Sequence, residues 1–322
     1  LSGTAVYQGS RELKSKTLRR VTYYLSGILL ILSLLFGAAG CSSPSASSSP
    51  LQPKQRLRLA TTTSLYDTGL WGYLEPMFEQ KYGVELDIMY TGTGKALEYG
   101  RRGDVDIITV HSKTREDQFV SDGYGVKRVP FAYNYFLIVG PEDDPAGLEG
   151  LTPEEAFGKL IDTDQGSFIS RGDDSGTHSK EKAIWQEIGY DYETVRNAGP
   201  WYIEAGIGMG PTLMMASEKQ GYTLTDMGTY LTFKFRTDLE VVVDERVLEL
   251  VPIVIEGEIL LNVYSAIIVN PEKASPAKME MANHLVDFLT SPEIQQLIGD
   301  YGTEDYGMQL FIPHAGADPE QD

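Results

Sequence analysis

From residue 56 onward the apolar positions change period repeatedly, and each change predicts an element. Residues 56–61 alternate and then turn apolar, as a strand does. Leu70, Tyr73, Leu74, Met77 and Phe78 recur at helical spacing, and Pro76 inside that pattern predicts a kink or a late helix start. Val84, Leu86, Ile88 and Tyr90 alternate as a second strand, and the turn Gly92-Thr93-Gly94 leads into a short helix ending at Arg101. Residues 105–110 form a third, mostly apolar strand. Strand, helix, strand, helix, strand predicts a parallel sheet covered on both faces. A longer strand follows at 131–140, rich in aromatic and aliphatic residues. The pattern then restarts with a helix at 153–160, a strand at 167–171 and a helix from Ser175. Further helices are predicted at 209–219, 226–233, 271–289 and 292–299, and strands at 222–225, 241–243 and 260–269. The tail after Phe311 is polar and expected to fray. Two α/β units result, the second inserted between parts of the first.

The first forty residues differ from the rest. Arg11, Lys14, Lys16, Arg19 and Arg20 precede an apolar run over 25–36, and Ala38-Ala39-Gly40 then leads to Cys41. That is the layout of a secretory leader over 1–40. A cysteine directly after small residues resembles the lipobox of bacterial lipoproteins, in which that cysteine is lipid-modified, although Ala38 stands where leucine is usual. A retained transmembrane anchor over 21–40 is the rival reading. Residues 41–55 are a Ser/Pro tract, read as a flexible spacer behind a lipid anchor. In either case the body lies outside the cytoplasm.

Composition narrows the classes further. The chain has 322 residues and 42% hydrophobic content, enough for two ordinary domains with a core. Cys41 is the single cysteine, which removes disulfides and cysteine metal cages from consideration. The formal net charge is −19, and the first forty residues carry a net positive charge, with Glu12 their single acidic group, so the body is more acidic still. Nucleic acid is a poor partner for such a surface. Small anions are not excluded, because charges beyond about 8 Å are screened at physiological salt.

The chemistry concentrates in loops at the carboxyl ends of predicted strands, where α/β proteins gather ligands. Residues 170–181 read Ser-Arg-Gly-Asp-Asp-Ser-Gly-Thr-His-Ser-Lys-Glu and stand just before an apolar-periodic stretch. A helix starting near Ser175 aims free amide N–H groups forward, and with Arg171 they form a cradle for an anion. Thr61-Thr62-Thr63-Ser64 is a second such segment; capping needs one hydroxyl, and four in a row exceed the need.

These loops resemble those of solute-binding proteins of bacterial ABC importers, and most closely the tungstate-binding branch. The carrying motifs are Thr61 to Ser64, Gly92-Thr93-Gly94-Lys95-Ala96-Leu97, Arg171 to His178, and Tyr222-Thr223-Leu224-Thr225-Asp226-Met227-Gly228-Thr229-Tyr230. The resemblance runs from about residue 56 to about 310. It implies an α/β, two-lobed clamp of the periplasmic-binding-protein type, with mixed sheets flanked by helices. Two hinge crossings are expected near 135–137 and 262–265, giving one lobe of 56–136 with 265–322 and a second of 137–264. It implies that the ion is held by hydrogen bonds from Thr62, Thr63, Ser64, Thr93, Gly94, Arg171, Ser175, Gly176 and Thr177. Met227 stands where an arginine is common in that family. The implied partners are an ABC permease with its cytoplasmic ATPase, and the receptor itself is expected to be a monomer without a cofactor, its cargo being the oxyanion.

A proton-free tungstate or molybdate dianion accepts hydrogen bonds and gives none, so a donor-only site suits it. Phosphate near neutral pH keeps some protons and prefers a site with a carboxylate; Asp67, Asp173 and Asp174 are candidates. Asp173 is read as the partner that orients Arg171, in a supporting role. Molybdate and phosphate therefore remain alternatives within the class. A phosphate-handling hydrolase built on Ser175 and His178 is the alternative from another class, although no Gly-x-Ser-x-Gly elbow surrounds Ser175. The segment before Lys95 lacks the remaining Walker residues, since Met89 and Ala96 stand where glycine and a hydroxyl are needed. His111, His284 and His314 show no metal-ligand spacing.

Overall fold

The computed structural model describes residues 55–163, 165–235, 248–273 and 278–319. The leader, Cys41, nearly all of the spacer and the strand expected at 241–243 lie outside the described residues. The chain begins with β1 (Gln55–Thr62), α1 (Thr63–Asp67), α2 (Leu70–Tyr82), β2 (Val84–Thr91), α3 (Thr93–Arg102), β3 (Ile107–Val110), α4 (Lys113–Ser121) and the long β4 (Gly125–Gly140). Next come α5 (Pro153–Thr163), β5 (Phe168–Ser170), α6 (Gly176–Glu187), α7 (Tyr192–Arg196), β6 (Tyr202–Glu204), α8 (Met209–Glu218), β7 (Thr223–Asp226) and α9 (Met227–Phe235). It closes with β8 (Val251–Val254), a 3-10 turn (Glu258–Leu260), β9 (Leu261–Val269), α10 (Met279–Thr290), α11 (Pro292–Asp300), α12 (Thr303–Tyr306) and β10 (Ile312–Pro313).

The main sheet runs β10-β4-β9-β3-β1-β2. β1 pairs in parallel with β2 and β3, while β9 joins β3 and β4 antiparallel, so the sheet is mixed. Alternation along β1 sorts its two faces. Leu57 and Leu59 meet Leu70, Trp71, Leu74 and Phe78 of α2 and Leu285 and Phe288 of α10. Ala60 faces the other way, onto Ala96 and Leu97 of α3 and Phe119 of α4. This is the period-two division that buries a sheet between two helical layers.

β4 changes partners along its length. Up to Tyr135 it pairs with β9; from Phe136 on it pairs with β7 and β8. β5 and β6 pair in parallel beside this second set, linked by a bridge between Phe168 and Tyr222. The return path passes from Val254, opposite Ile138, to Leu261, opposite Tyr135. Asn262 and Ser265 are therefore already within β9, a few residues past the change of partners.

Three local expectations are corrected. The helix α2 starts at Leu70 and runs through Pro76 without a late start. Pro76 and Gly72, four residues before it, both lie on the exposed face, so water can serve the carbonyl that proline leaves unpaired. Residues 312–316 are tied down where the sequence predicts fraying after Phe311. β10 pairs antiparallel with β4, and Gly316 N–H donates to the Pro130 carbonyl at 2.8 Å, because Leu310 and Phe311 are buried beneath it. The helix expected from residue 271 begins at Met279.

Candidate anion-binding site

Helix starts from both sheets meet at the strand carboxyl ends. β1 ends in Thr62, which caps α1 by accepting from Leu65 N–H at 3.3 Å. β2 leads to Gly92, which caps α3 without a side-chain bond. β5 leads through Arg171 to Ser175, whose hydroxyl caps α6 by accepting from His178 N–H at 3.1 Å. The α3 and α6 starts abut: Gly94 N–H reaches the Asp174 carbonyl at 3.4 Å, and an added Cβ on Gly92 would stand 3.5 Å from the Asp173 carbonyl oxygen. The α1 start is tied in by Thr229, whose hydroxyl donates to the Ser64 carbonyl at 3.3 Å. Thr62, Ser64, Thr93, Arg171, Ser175, Gly176 and Thr177 are buried, and Thr63 and Gly94 are half-buried.

Two of these side chains are unpartnered. The hydroxyls of Thr93 and Thr177 are buried and have no hydrogen-bond partner within the protein. They come from α3 and α6, hence from the two sheets. A helix ladder also leaves open its first N–H groups, including those of Thr93, Gly176 and Thr177. Arg171 is buried on the loop that leads into α6. Its Nε donates to the Ile207 carbonyl at 2.9 Å and its Nη2 to Asp173.

The nearby carboxylates are already occupied. Asp173 receives Arg171 on one oxygen and Ser175 N–H on the other, at 3.2 Å. Asp174 receives Arg115 of α4, with Nη2 to Oδ2 at 2.9 Å. Asp226 accepts from Thr229 N–H at 2.9 Å and from its hydroxyl at 2.6 Å, and burial raises its carboxyl above the usual range. Among the described residues no group of His, Cys, Asp and Glu is arranged to hold a metal ion.

The Ser175–His178 pair does not have hydrolase geometry. Ser175 receives the backbone N–H of His178, while the imidazole Nδ1 receives Asp174 N–H at 3.1 Å. Both bonds build the helix start, and His178 Nε2 is buried without a partner in the protein, so no bond links the imidazole to the Ser175 hydroxyl as a base would require. Met227 packs, partly buried, against the main core.

Pattern reading missed the polar layer behind the site. His111, just after β3, places Nε2 3.0 Å from the Ser64 hydroxyl and Nδ1 2.9 Å from Asn262 Oδ1. Asn262 in turn donates to Asn134 Oδ1 at 2.8 Å and to the Tyr264 hydroxyl at 2.9 Å. Burial, with the Arg171 and Lys180 charges adding to it, pushes His111 down to about 4, so the ring is neutral. Asn134 and Asn262 interrupt apolar runs, and that interruption was the available signal.

Hydrogen donors converging from two sheets joined by a shared strand define a class of protein, the two-lobed solute receptor. The comparisons agree with the geometry. A PBP superfamily domain matches residues 45–293. The tungstate-binding protein TupA of Peptoclostridium acidaminophilum is 39% identical over 300 residues, which is 92% of this chain and 99% of that one. The solved TupA of Desulfovibrio alaskensis G20 is 41% identical, with a TM-score of 0.65 over 81% of this chain and 99% of its own. The solved structure described as the tungstate ABC transporter from Geobacter sulfurreducens is 43% identical, with a TM-score of 0.66 over 78% of this chain and 100% of its own. The chain belongs to the PBP superfamily and, within it, to the family of ABC-transporter solute-binding proteins in which these relatives stand.

Proposed function

We propose that this protein is an extracytoplasmic receptor that binds tungstate by hydrogen bonds between its two halves and delivers it to an ABC importer. It is a binding protein and performs no covalent chemistry. The observation that carries the reading is the pair of buried, unpartnered hydroxyls, Thr93 and Thr177, presented from opposite sheets. A buried polar group without a partner costs about 1–3 kcal/mol, so such a pair is retained where something binds it. An oxyanion supplies the missing acceptor. Charge-assisted bonds contribute about 1.5–3 kcal/mol each, so several together offset the dehydration of the ion.

The engaged carboxylates favour a proton-free ion over phosphate. Asp173, Asp174 and Asp226 each receive donors already, so fewer of their lone pairs are left for a protonated phosphate oxygen. Titration calorimetry with tungstate, molybdate, phosphate and sulfate tests this. Tungstate and molybdate should bind at least about a hundredfold more tightly than phosphate, a difference of about 2.8 kcal/mol. Tightest binding by phosphate would sink the reading.

Several finer points belong to the same proposal. The lobes are taken as 56–136 with 265–322 and as 137–264, a division supported by the change of partners in β4. One chain supplies both sides of the cleft, so a monomer is the working unit, and sedimentation would reveal a dimer. Cys41 is taken as the lipid-bearing residue, on the strength of the small residues before it. Cys41→Ala should move the protein from the membrane fraction to the soluble fraction; a variant still firmly membrane-bound would point to a retained anchor.

A further inference from the structure

Gly176 is the first residue of α6, and its backbone does not need glycine. Its φ lies outside the left-handed region, and alanine is the better helix former. Space is the constraint. A Cβ on Gly176 would stand 2.6 Å from His111 Cε1 and 2.8 Å from both His111 ring nitrogens. Near-equal distances to three ring atoms place the face of the imidazole on the Gly176 Cα. His111 follows β3 of the main sheet and Gly176 follows β5 of the second set, so this contact joins the two halves.

The ring is held at both nitrogens. Asn134 Nδ2 donates to the Leu310 carbonyl at 3.3 Å, which leaves its Oδ1 to receive Asn262 Nδ2. Asn262 Oδ1 then faces His111 Nδ1, so the neutral ring carries its hydrogen there, and Nε2 accepts from the Ser64 hydroxyl. Phe136 and Tyr264 flank the imidazole at centroid distances of 6.0 and 5.1 Å. His111, Asn134, Asn262 and Tyr264 are all buried.

We propose that the His111 ring, bearing on Gly176, is the stop that sets how far the two halves close, and thereby selects oxyanions by size. The inference rests on the oxyanion-receptor reading and deepens it. Sulfate is also a small dianion that only accepts hydrogen bonds, so a donor-only site does not by itself reject it. A fixed approach of α6 does: the Gly176 and Thr177 donors arrive at one distance from α3, and a smaller ion leaves a gap at one side. Ser64, whose hydroxyl is turned to His111, serves as part of the stop.

Calorimetric titrations with tungstate and sulfate on a double-mutant square test it. Gly176→Ala in the wild-type background should weaken tungstate binding at least tenfold, because the methyl group meets the ring before closure is complete. In a His111→Ala background the same methyl should cost less than twofold, because the ring is gone. His111→Ala alone should lower the tungstate-to-sulfate affinity ratio at least tenfold. His111→Ser serves in place of alanine if that variant does not fold. A methyl that costs the same in both backgrounds, or an unchanged ratio in the His111 variant, overturns the stop and leaves the receptor reading standing. A wild-type protein that binds no oxyanion overturns both.

Discussion

Thr93 and Thr177 are single residues on which the binding reading can be weighed against stability. Each buries a hydroxyl with no partner in the protein. Replacing such a threonine with valine keeps the shape and removes an unsatisfied polar group. Thr93→Val and Thr177→Val should each unfold no earlier than the wild type without ligand, yet lose about 1.5–3 kcal/mol of tungstate affinity. Thermal melts with and without tungstate read both effects. Loss of stability in the ligand-free protein, with affinity intact, would make the hydroxyls structural. At this scale the sequence disclosed what is local. Thr62 to Ser64, Thr93, Gly94 and the 171–177 loop each join hydroxyls, or a guanidinium, to a helix start within a few residues. His111, Asn134 and Asn262 were not legible as a group, because they lie on separate stretches and only the fold brings them together.

Among the elements, α6 does more than present its first turn. Lys180, one turn further along, donates to the Ile259 carbonyl at 2.7 Å and to the Leu261 carbonyl at 3.0 Å. It also lies over the Phe136 ring. One half-buried ammonium thus touches both places where the chain passes between the sheets, the return passage by hydrogen bonds and the first by its ring contact. Burial lowers its affinity for the proton, to a pKa of about 8. Lys180→Met keeps most of the stem but strands two carbonyls, so a loss of about 2 kcal/mol is expected in urea unfolding. A variant as stable as the wild type would show that water replaces the ammonium. Strong periodicity made β1, α2, β2 and β9 readable in advance. The helix α4 was not, because only Glu116 and Phe119 of its residues are buried and no apolar stripe forms. The tail was misjudged because its pairing to β4 depends on partners nearly two hundred residues away in sequence.

Across the whole molecule, buried titratable groups oppose one another. Burial lowers His111 and His178 to about 4, below the usual 6.5. The unfolded chain therefore binds more protons in that window, and stability present above 6.5 is lost as pH falls toward 4. Burial raises Glu181 to about 7, although Ser170, Trp185 and Tyr202 all donate to it. Here the folded state binds the extra proton, and stability is gained as pH falls from 7 to 4.5. Glu181→Gln removes that compensation. Between pH 7.5 and 5 the variant should lose stability relative to the wild type by about 1–3 kcal/mol, measured by urea unfolding at each pH. Parallel curves would place the Glu181 proton elsewhere.

Tyr135 lies directly opposite Leu261, so the two passages between the sheets run side by side at one strand spacing. A pivot of two adjacent, hydrogen-bonded ribbons bends readily in one direction and resists torsion in the others. Motion about such a pivot would follow a single arc instead of a search. The donors on either side would then sweep toward each other along a fixed track, and an ion already resting on one side would be met in the same orientation at every cycle.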